Sequence, residues 1–501
     1  MSNPNGLLEI LNAAPATSTA VILPDEGIRI TYGQLREQVA KMADDLAGLG
    51  IKRGDRVATV LPNGLPAIVT FLAGATAGTA APLNPGYRQD EFSFFIEDTA
   101  AKVLLLPPDG AAEARQAAEG KVPMYSVQMD EKGFVRILNL PPASRSAALP
   151  GPEDVALVLH TSGSTGRPKR VPIQQRNLGA SARNIVDHYE LSASDVSVCV
   201  MPLFHVHGLV ASVLSTFLSG GTVVIPAKFS PLSFWRIVRD TGATWYSAVP
   251  TIHQLLLTRA AGQRPGGSES LRFIRSCSAA LPPAMMNSME QVFGVPVLEA
   301  YGMTEAAHQM ASNPLPPKHR KPGSVGPGTG VKISIMNTEG KHLAAGERGG
   351  VVIQGPNVVR EYENNPEATA QSFAHGWFHT GDQGYLDDDG YLVLTGRLKE
   401  LINRGGEKIA PREIDEVLLA HPAVAEAVVF GVPHPTWGEE VEAAVVLHSA
   451  SDEGAILSFC KERLAEFKRP KKLYIVEKIP RTATGKIKRS AVAEAFAGEK
   501  K

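Results

Sequence analysis

Cysteine is scarce: Cys199, Cys277 and Cys460 are the only three among 501 residues, odd in number and far apart. That excludes a disulfide framework and suits a reducing compartment. A surplus of one charge is missing too. Fifty Lys+Arg stand against 51 Asp+Glu, a formal net charge of −1, so no basic face suited to nucleic acid is expected. Nor is there an unbroken apolar run of membrane-spanning length. The most apolar window, residues 67–83, is interrupted by Gly74, Gly78 and Pro82 and reads as a buried helix followed by a strand. The opening Met1-Ser2-Asn3-Pro4-Asn5-Gly6 lacks the basic start and apolar core of a signal peptide, and Glu499-Lys500-Lys501 is no peroxisomal address. The expectation is a soluble cytoplasmic protein, too long for a single core and therefore built from at least two domains.

What is present begins as scaffold. Thr31-Tyr32-Gly33-Gln34 is a capping box, and Leu35, Val39, Met42 and Leu46 then share one helical face until Gly50. Short apolar strands at 57–61 and 103–106 alternate with helical stretches, which argues for α/β layers around a parallel sheet.

Chemistry first appears at Thr161-Ser162-Gly163-Ser164-Thr165-Gly166-Arg167-Pro168-Lys169, directly after the strand-like run Val155-Ala156-Leu157-Val158-Leu159. Glycines let backbone N–H groups turn toward an anion, hydroxyls add donors, and Arg and Lys add charge. That is the composition of a polyphosphate cradle. It is not a Walker loop, because Pro168 and Val171-Pro172-Ile173 follow where a helix would start. Taken alone it also fits a Ser/Gly surface turn.

Further on, Met201-Pro202-Leu203-Phe204-His205-Val206-His207-Gly208 offers two imidazoles that would share a face of an extended segment. No third ligand has metal spacing, so a substrate-facing pair or a core histidine is the better reading than zinc. Ser278, Ala279 and Ala280 are small enough to let a flat ring approach the backbone, or simply to turn tightly. In Glu299-Ala300-Tyr301-Gly302-Met303-Thr304-Glu305 an aromatic suits a base, a hydroxyl a phosphate oxygen, and a carboxylate Mg2+. An ordinary helix start near Thr304 fits those residues as well.

Six motifs in order carry a resemblance. They are the 161–169 loop, Tyr301-Gly302-Met303-Thr304-Glu305, Trp377-Phe378-His379-Thr380-Gly381-Asp382, Gly396-Arg397-Leu398-Lys399-Glu400, Arg404-Gly405-Gly406-Glu407-Lys408-Ile409 and Pro480-Arg481-Thr482-Ala483-Thr484-Gly485-Lys486. Together they resemble the acyl-adenylate-forming superfamily of acyl-CoA synthetases, luciferases and carrier-loading adenylation domains. Phe204-His205-Val206-His207-Gly208, the segment 247–254, Arg275-Ser276-Cys277-Ser278-Ala279 and the segment 303–316 resemble its oxalate–CoA ligase branch. One departure is Arg170, where the family usually has Gly.

The resemblance implies an α/β fold: a large N-terminal adenylation domain of stacked sheets and helices, residues 1–398, and a small mobile α+β domain, residues 399–501. It implies ATP, Mg2+ and coenzyme A as reactants and cofactor, and a small carboxylic acid as substrate. Ser162, Gly163, Ser164, Thr165, Gly166 and Lys169, with Thr161, would hold the departing pyrophosphate. Ser278, Ala279, Ala280, Glu299, Ala300, Tyr301, Gly302 and Met303 would surround the adenine, with Tyr301 stacked on it. Thr304 would hold the α-phosphate, Glu305 the Mg2+, Asp382 and Arg397 the ribose, and Lys486 would bridge carboxylate and α-phosphate. A rotation about Lys399 would then exchange Lys486 for Gly405 and Gly406 beside the CoA thiol. His205, His207, Ser278 and His308 would line the acid site, with His308 on a helical turn after Glu305. That polar set favours oxalate. CoA ligation of another small, medium-chain or aryl acid, or a free-standing carrier-loading enzyme, is the alternative.

Overall fold

The structure is a computed structural model and describes residues 6–141, 145–161, 168–481, 487 and 489–497. Its first layer follows from the capping box. The Thr31 hydroxyl accepts from the Gln34 N–H at 3.2 Å while the Gln34 side chain accepts from the Thr31 N–H at 2.9 Å. The helix Tyr32–Gly48 starts there and buries Leu35, Val39, Met42 and Leu46. The next helix, Leu65–Ala77, is apolar on all sides and correspondingly buried throughout, packed between that helix and a seven-stranded sheet. Gly78 closes it and allows an immediate return as the strand Thr79–Pro82; a Cβ there would lie 2.5 Å from the Asp55 carbonyl. The interrupted apolar window is thus a helix and a strand, as its glycines indicated.

In the seven-stranded sheet the central strands Arg56–Thr59, Thr79–Pro82, Ala101–Leu106 and Met124–Met129 pair in parallel. At its far edge Val155–Thr161 and Lys169–Gln174 form an antiparallel hairpin, so Thr161 and Lys169 face each other across the ends of the 161–169 loop. The second sheet has eight strands. Val196–Cys199, Trp245–Ala248, Phe273–Ser276 and Val297–Met303 run parallel, and His308–Ser312 returns antiparallel at the edge. A third, antiparallel sheet spans Lys332–Met336 to Leu392–Arg397.

From Ile402 onward a separate five-stranded sheet forms around its own core, which includes Ile402, Ile414, Leu418, Val429, Val441, Val445 and Leu473. The chain is therefore mixed α/β with several sheets and a smaller C-terminal unit. Among the described residues no helix is long and apolar enough to cross a membrane.

Three local expectations are revised. His207 does not lie on an extended segment; it opens a buried π-helix, His207–Leu214. His308 is not on a helical turn. The turn after Met303 lasts only for Thr304–Ala306, Ala307 is left-handed, and His308 begins the return strand. The apolar spacing from Ile456 to Phe467 reads as an amphipathic helix, but the helix occupies Glu453–Lys461, because Asp452 caps it one turn earlier by accepting from the Ala455 N–H. The three cysteines are buried and unpaired with one another. Burial pushes the Cys199 thiol up to about 12 and the Cys460 thiol up to about 11.

Candidate active site

Parallel strands present their C-terminal ends, and the loops that follow, on one edge, where α/β folds place ligands. Here those ends are Ser247, Ser276 to Ser278, and Met303 to Glu305, joined by the hairpin strand that starts at His308. Two of these residues have backbones L side chains rarely adopt: Ser278 has φ 71° and His308 φ 118°. Such conformations persist only where surrounding contacts enforce them. At His308 the facing strand comes close, and Gly302 leaves the room for it. A Cβ at Gly302 would lie 2.2 Å from the His308 carbonyl oxygen.

The nucleotide-side candidates fall into two groups. Glu305 is buried at 5% exposure, and its Oε1 accepts from the Tyr362 hydroxyl at 2.8 Å. Burial raises the Glu305 carboxyl, against the Tyr362 bond and nearby Arg397 and Lys169. Lys169 lies with its ammonium 4.3 Å from the Tyr362 ring centroid. Burial lowers its pKa, and Lys399, an exposed residue of the turn Leu398–Glu400, lowers it further, while Glu305 raises it. Lys169, Glu305, Tyr362 and Lys399 therefore share one neighbourhood. Arg170, the departure from the family pattern, binds back into the scaffold: it donates to the Asp98 carbonyl and approaches Asp98 Oδ2 at 3.4 Å and Glu363 Oε2 at 3.7 Å.

In the second group Tyr301 donates its hydroxyl to Asp382, which also pairs with Arg397 Nε at 2.7 Å. Burial first, then the Asp382 charge, push the Tyr301 hydroxyl well above its ordinary value, so it stays a donor. Glu299 is tied to the residue that follows Ser278, Ala279 and Ala280. Its Oε1 accepts from the Leu281 N–H at 2.9 Å, and burial pushes its carboxyl up to about 7.

The acid-side candidates converge. His207 Nδ1 lies 2.9 Å from Ser278 Oγ and its Nε2 lies 2.7 Å from Ser247 Oγ. The His207 and His308 rings stack at 5.2 Å between centroids, with 22° between planes. Half-buried His205 touches this set from one side, its Nδ1 accepting from the His207 N–H at 3.3 Å. Behind them stands Arg275, fully buried, which no sequence-based role included. An arginine inside the strand run Phe273-Ile274-Arg275-Ser276 of a sheet covered on both faces was the available signal.

Other expected residues are elsewhere or outside view. Gly405 and Gly406 form a tight turn with φ 61° and 95° between the strands Ile402–Arg404 and Glu407–Ile409, against Trp437. Ser162, Gly163, Ser164, Thr165, Gly166 and Lys486 lie outside the described residues. Among the described residues no group of three His, Cys, Asp or Glu side chains forms a metal cage. Glu305 fits Mg2+ in another way. It is a lone hard carboxylate with one oxygen engaged by Tyr362, the arrangement used where substrate phosphates and waters supply the remaining ligands.

The model of the AMP-binding enzyme family matches residues 10–363, and that of the AMP-binding enzyme C-terminal domain matches residues 413–486. The chain belongs to the AMP-binding enzyme family. It is similar to an oxalate–CoA ligase of Arabidopsis thaliana, 47% identical over 480 residues, 93% of each chain. An oxalate–CoA ligase of Saccharomyces cerevisiae is 42% identical over 522 residues, covering 96% of this chain and 95% of that one. Among solved structures, ATP-bound MatB from Rhodopseudomonas palustris superposes with a TM-score of 0.91 at 31% identity, covering 99% of this chain and 100% of that one. The match runs through both the large sheets and the small C-terminal unit of this AMP-binding enzyme.

Proposed function

We propose that this AMP-binding enzyme is an oxalate–CoA ligase, converting oxalate, ATP and CoA to oxalyl-CoA, AMP and diphosphate. The observation that carries the reading is the convergence of His207, Ser278 and His308 beside the Thr304–Glu305 turn. A fatty or aryl acid needs an apolar pocket. Here imidazoles and hydroxyls meet the acid, which suits a second carboxylate next to the reacting one.

In the first half-reaction one oxalate carboxylate attacks the α-phosphorus and diphosphate leaves. Both reactants are anions, so positioning and charge neutralisation supply most of the rate. Lys169 and the 161–169 loop hold the departing phosphates, Thr304 the α-phosphate, and Asp382 with Arg397 the ribose. Tyr301 and the residues Ser278, Ala279, Ala280, Glu299, Ala300, Gly302 and Met303 form the adenine side. Glu305 would hold Mg2+, which would supply neutralisation of the phosphate charge. Lys486, in a domain beginning at Lys399, bridges carboxylate and α-phosphate as a flexible three-donor cation. In the second half-reaction the thiol of CoA attacks the acyl carbon and AMP leaves. Gly405 and Gly406, lacking side chains, line the path of the pantetheine arm after the residue 399–501 domain turns about Lys399.

The test is a screen of oxalate, malonate, acetate and coumarate with ATP and CoA. Oxalate should give the highest kcat/KM. Preference for another of these acids overturns the substrate, and transfer to a carrier protein but not to CoA overturns the acceptor.

A further inference from the structure

Arg275 is the largest charged side chain wholly buried among the described residues, and the side chains it bonds are hydroxyls, an amide and imidazoles. Its Nε donates to the Tyr189 hydroxyl at 2.9 Å and its Nη2 to Gln309 Oε1 at 3.0 Å. Nη1 donates to Ser247 Oγ at 2.9 Å, across the parallel pair that sets Ser247 opposite Arg275. Nη2 also reaches His308 Nε2 at 3.0 Å, and Nη1 approaches His207 Nε2 at 3.4 Å. Among the described residues no carboxylate forms an ion pair with it. A buried cation is ordinarily paired, since hydroxyls, an amide and imidazoles solvate it without cancelling its charge.

We propose, resting on the reading of this pocket as the acid site, that Arg275 is a positioning residue that sets the pocket's selectivity for a diacid. It supplies a fixed positive charge behind the imidazoles and decides which nitrogen of each carries the proton. The guanidinium donates only. Its bond to His308 Nε2 requires a lone pair there, so the His308 ring proton sits on Nδ1, the nitrogen that faces Gly302. Arg275 Nη1, which can only donate, also faces His207 Nε2 at 3.4 Å, which favours a lone pair on that nitrogen, and Ser247, accepting from Arg275, turns its own hydrogen to it. His207 then carries its proton on Nδ1 and donates to Ser278 Oγ at 2.9 Å. Ser278 therefore presents its O–H to the pocket as a donor. One cation thus fixes the tautomers of two histidines and leaves the Ser278 O–H as the donor they present, with net positive charge behind it. An acid with a second carboxylate answers that charge; a monocarboxylic acid, once activated, leaves it uncompensated.

The experiment compares the wild type with Arg275→Met and Arg275→Lys. It measures KM for oxalate, acetate and ATP, and records the imidazole nitrogen shifts of His207 and His308 by 15N NMR. Arg275→Met should raise the oxalate KM about 100-fold, the effect of losing a charged hydrogen-bonded partner, with the ATP KM within about 3-fold. Its oxalate-to-acetate preference should collapse. Arg275→Lys, which keeps the charge, should restore part of that preference. In the wild type both histidines should show protonated Nδ1 and bare Nε2, and this pattern should be lost in Arg275→Met. Unchanged oxalate preference in Arg275→Met, or equal losses toward oxalate and ATP, overturns the proposal. Should that variant fail to fold, protonated Nε2 on His207 or His308 in the wild type overturns it alone. The tautomers are read independently of which acid the enzyme prefers, so this result separates failure of the Arg275 role from failure of the oxalate reading.

Discussion

Glu299 offers a prediction whose size follows from its surroundings. It is 1% exposed, its Oε1 accepts from the Leu281 N–H, and among the described residues its Oε2 has no hydrogen-bond partner. Burial is the main reason that its carboxyl rises from 4.5 to about 7; Arg412, on the helix Pro411–Leu419, pulls the other way. A rise of that size corresponds to about 3 kcal/mol between the two protonation states. The folded pKa lies above the unfolded one, so the fold favours the neutral acid. The contribution is fully present below 4.5, declines as pH rises toward about 7, and is lost above it. Glu299→Gln keeps the shape and an acceptor for Leu281 but cannot ionise. The variant should match the wild type near pH 4 and exceed it by up to about 3 kcal/mol near pH 8. Urea midpoints of both proteins, taken at intervals between those pH values, read the difference. A gap that stays constant with pH would refute the reasoning, because it would mean that Glu299 does not change charge in this range.

Lys486→Ala should abolish most oxalate-dependent ATP–diphosphate exchange yet still pass supplied oxalyl-adenylate to CoA; equal loss of both halves in a folded variant would sink the division of labour. Lys399→Pro restricts φ at the expected pivot and should slow thioester formation more than diphosphate exchange; wild-type rates for both would remove Lys399 as the hinge. Gly302→Ala would place a Cβ 2.2 Å from the His308 carbonyl. It should cost about 1–3 kcal/mol of stability as the hairpin shifts and lower oxalate kcat/KM, as thermal unfolding and steady-state rates would show.

Motifs that are contiguous in the chain could be read from it, because one loop or turn fixes their relations. The 161–169 loop follows its strand, and Thr304 and Glu305 stand at the turn after the strand Val297–Met303. The capping box at Thr31 was equally local. What was hidden depends on chain segments far apart in sequence. A π-helix has no pattern distinct from an α-helix in an apolar run, so the setting of His207 was missed. His308 was misplaced because Thr304 to Ala307 has helical composition but is cut short by a hairpin that returns to pair with Met303. Arg275 gained meaning only when Tyr189, Ser247, His207, His308 and Gln309 met around it. Nothing in the local sequence specifies that meeting.

The concealment of all three cysteines has a practical consequence for following this chemistry. A thiol must be exposed and ionised to attack a disulfide reagent. Cys199 and Cys460 are held far toward the neutral thiol by burial, and Cys277 is equally enclosed. The folded protein should therefore add no background to a colorimetric thiol titration, and CoA consumption becomes directly countable in the presence of stoichiometric enzyme. A slow rise in reactive thiol without substrate would then report something else entirely: unfolding, read through three built-in probes, two of them (Cys199 and Cys277) in the large domain and one (Cys460) in the small one.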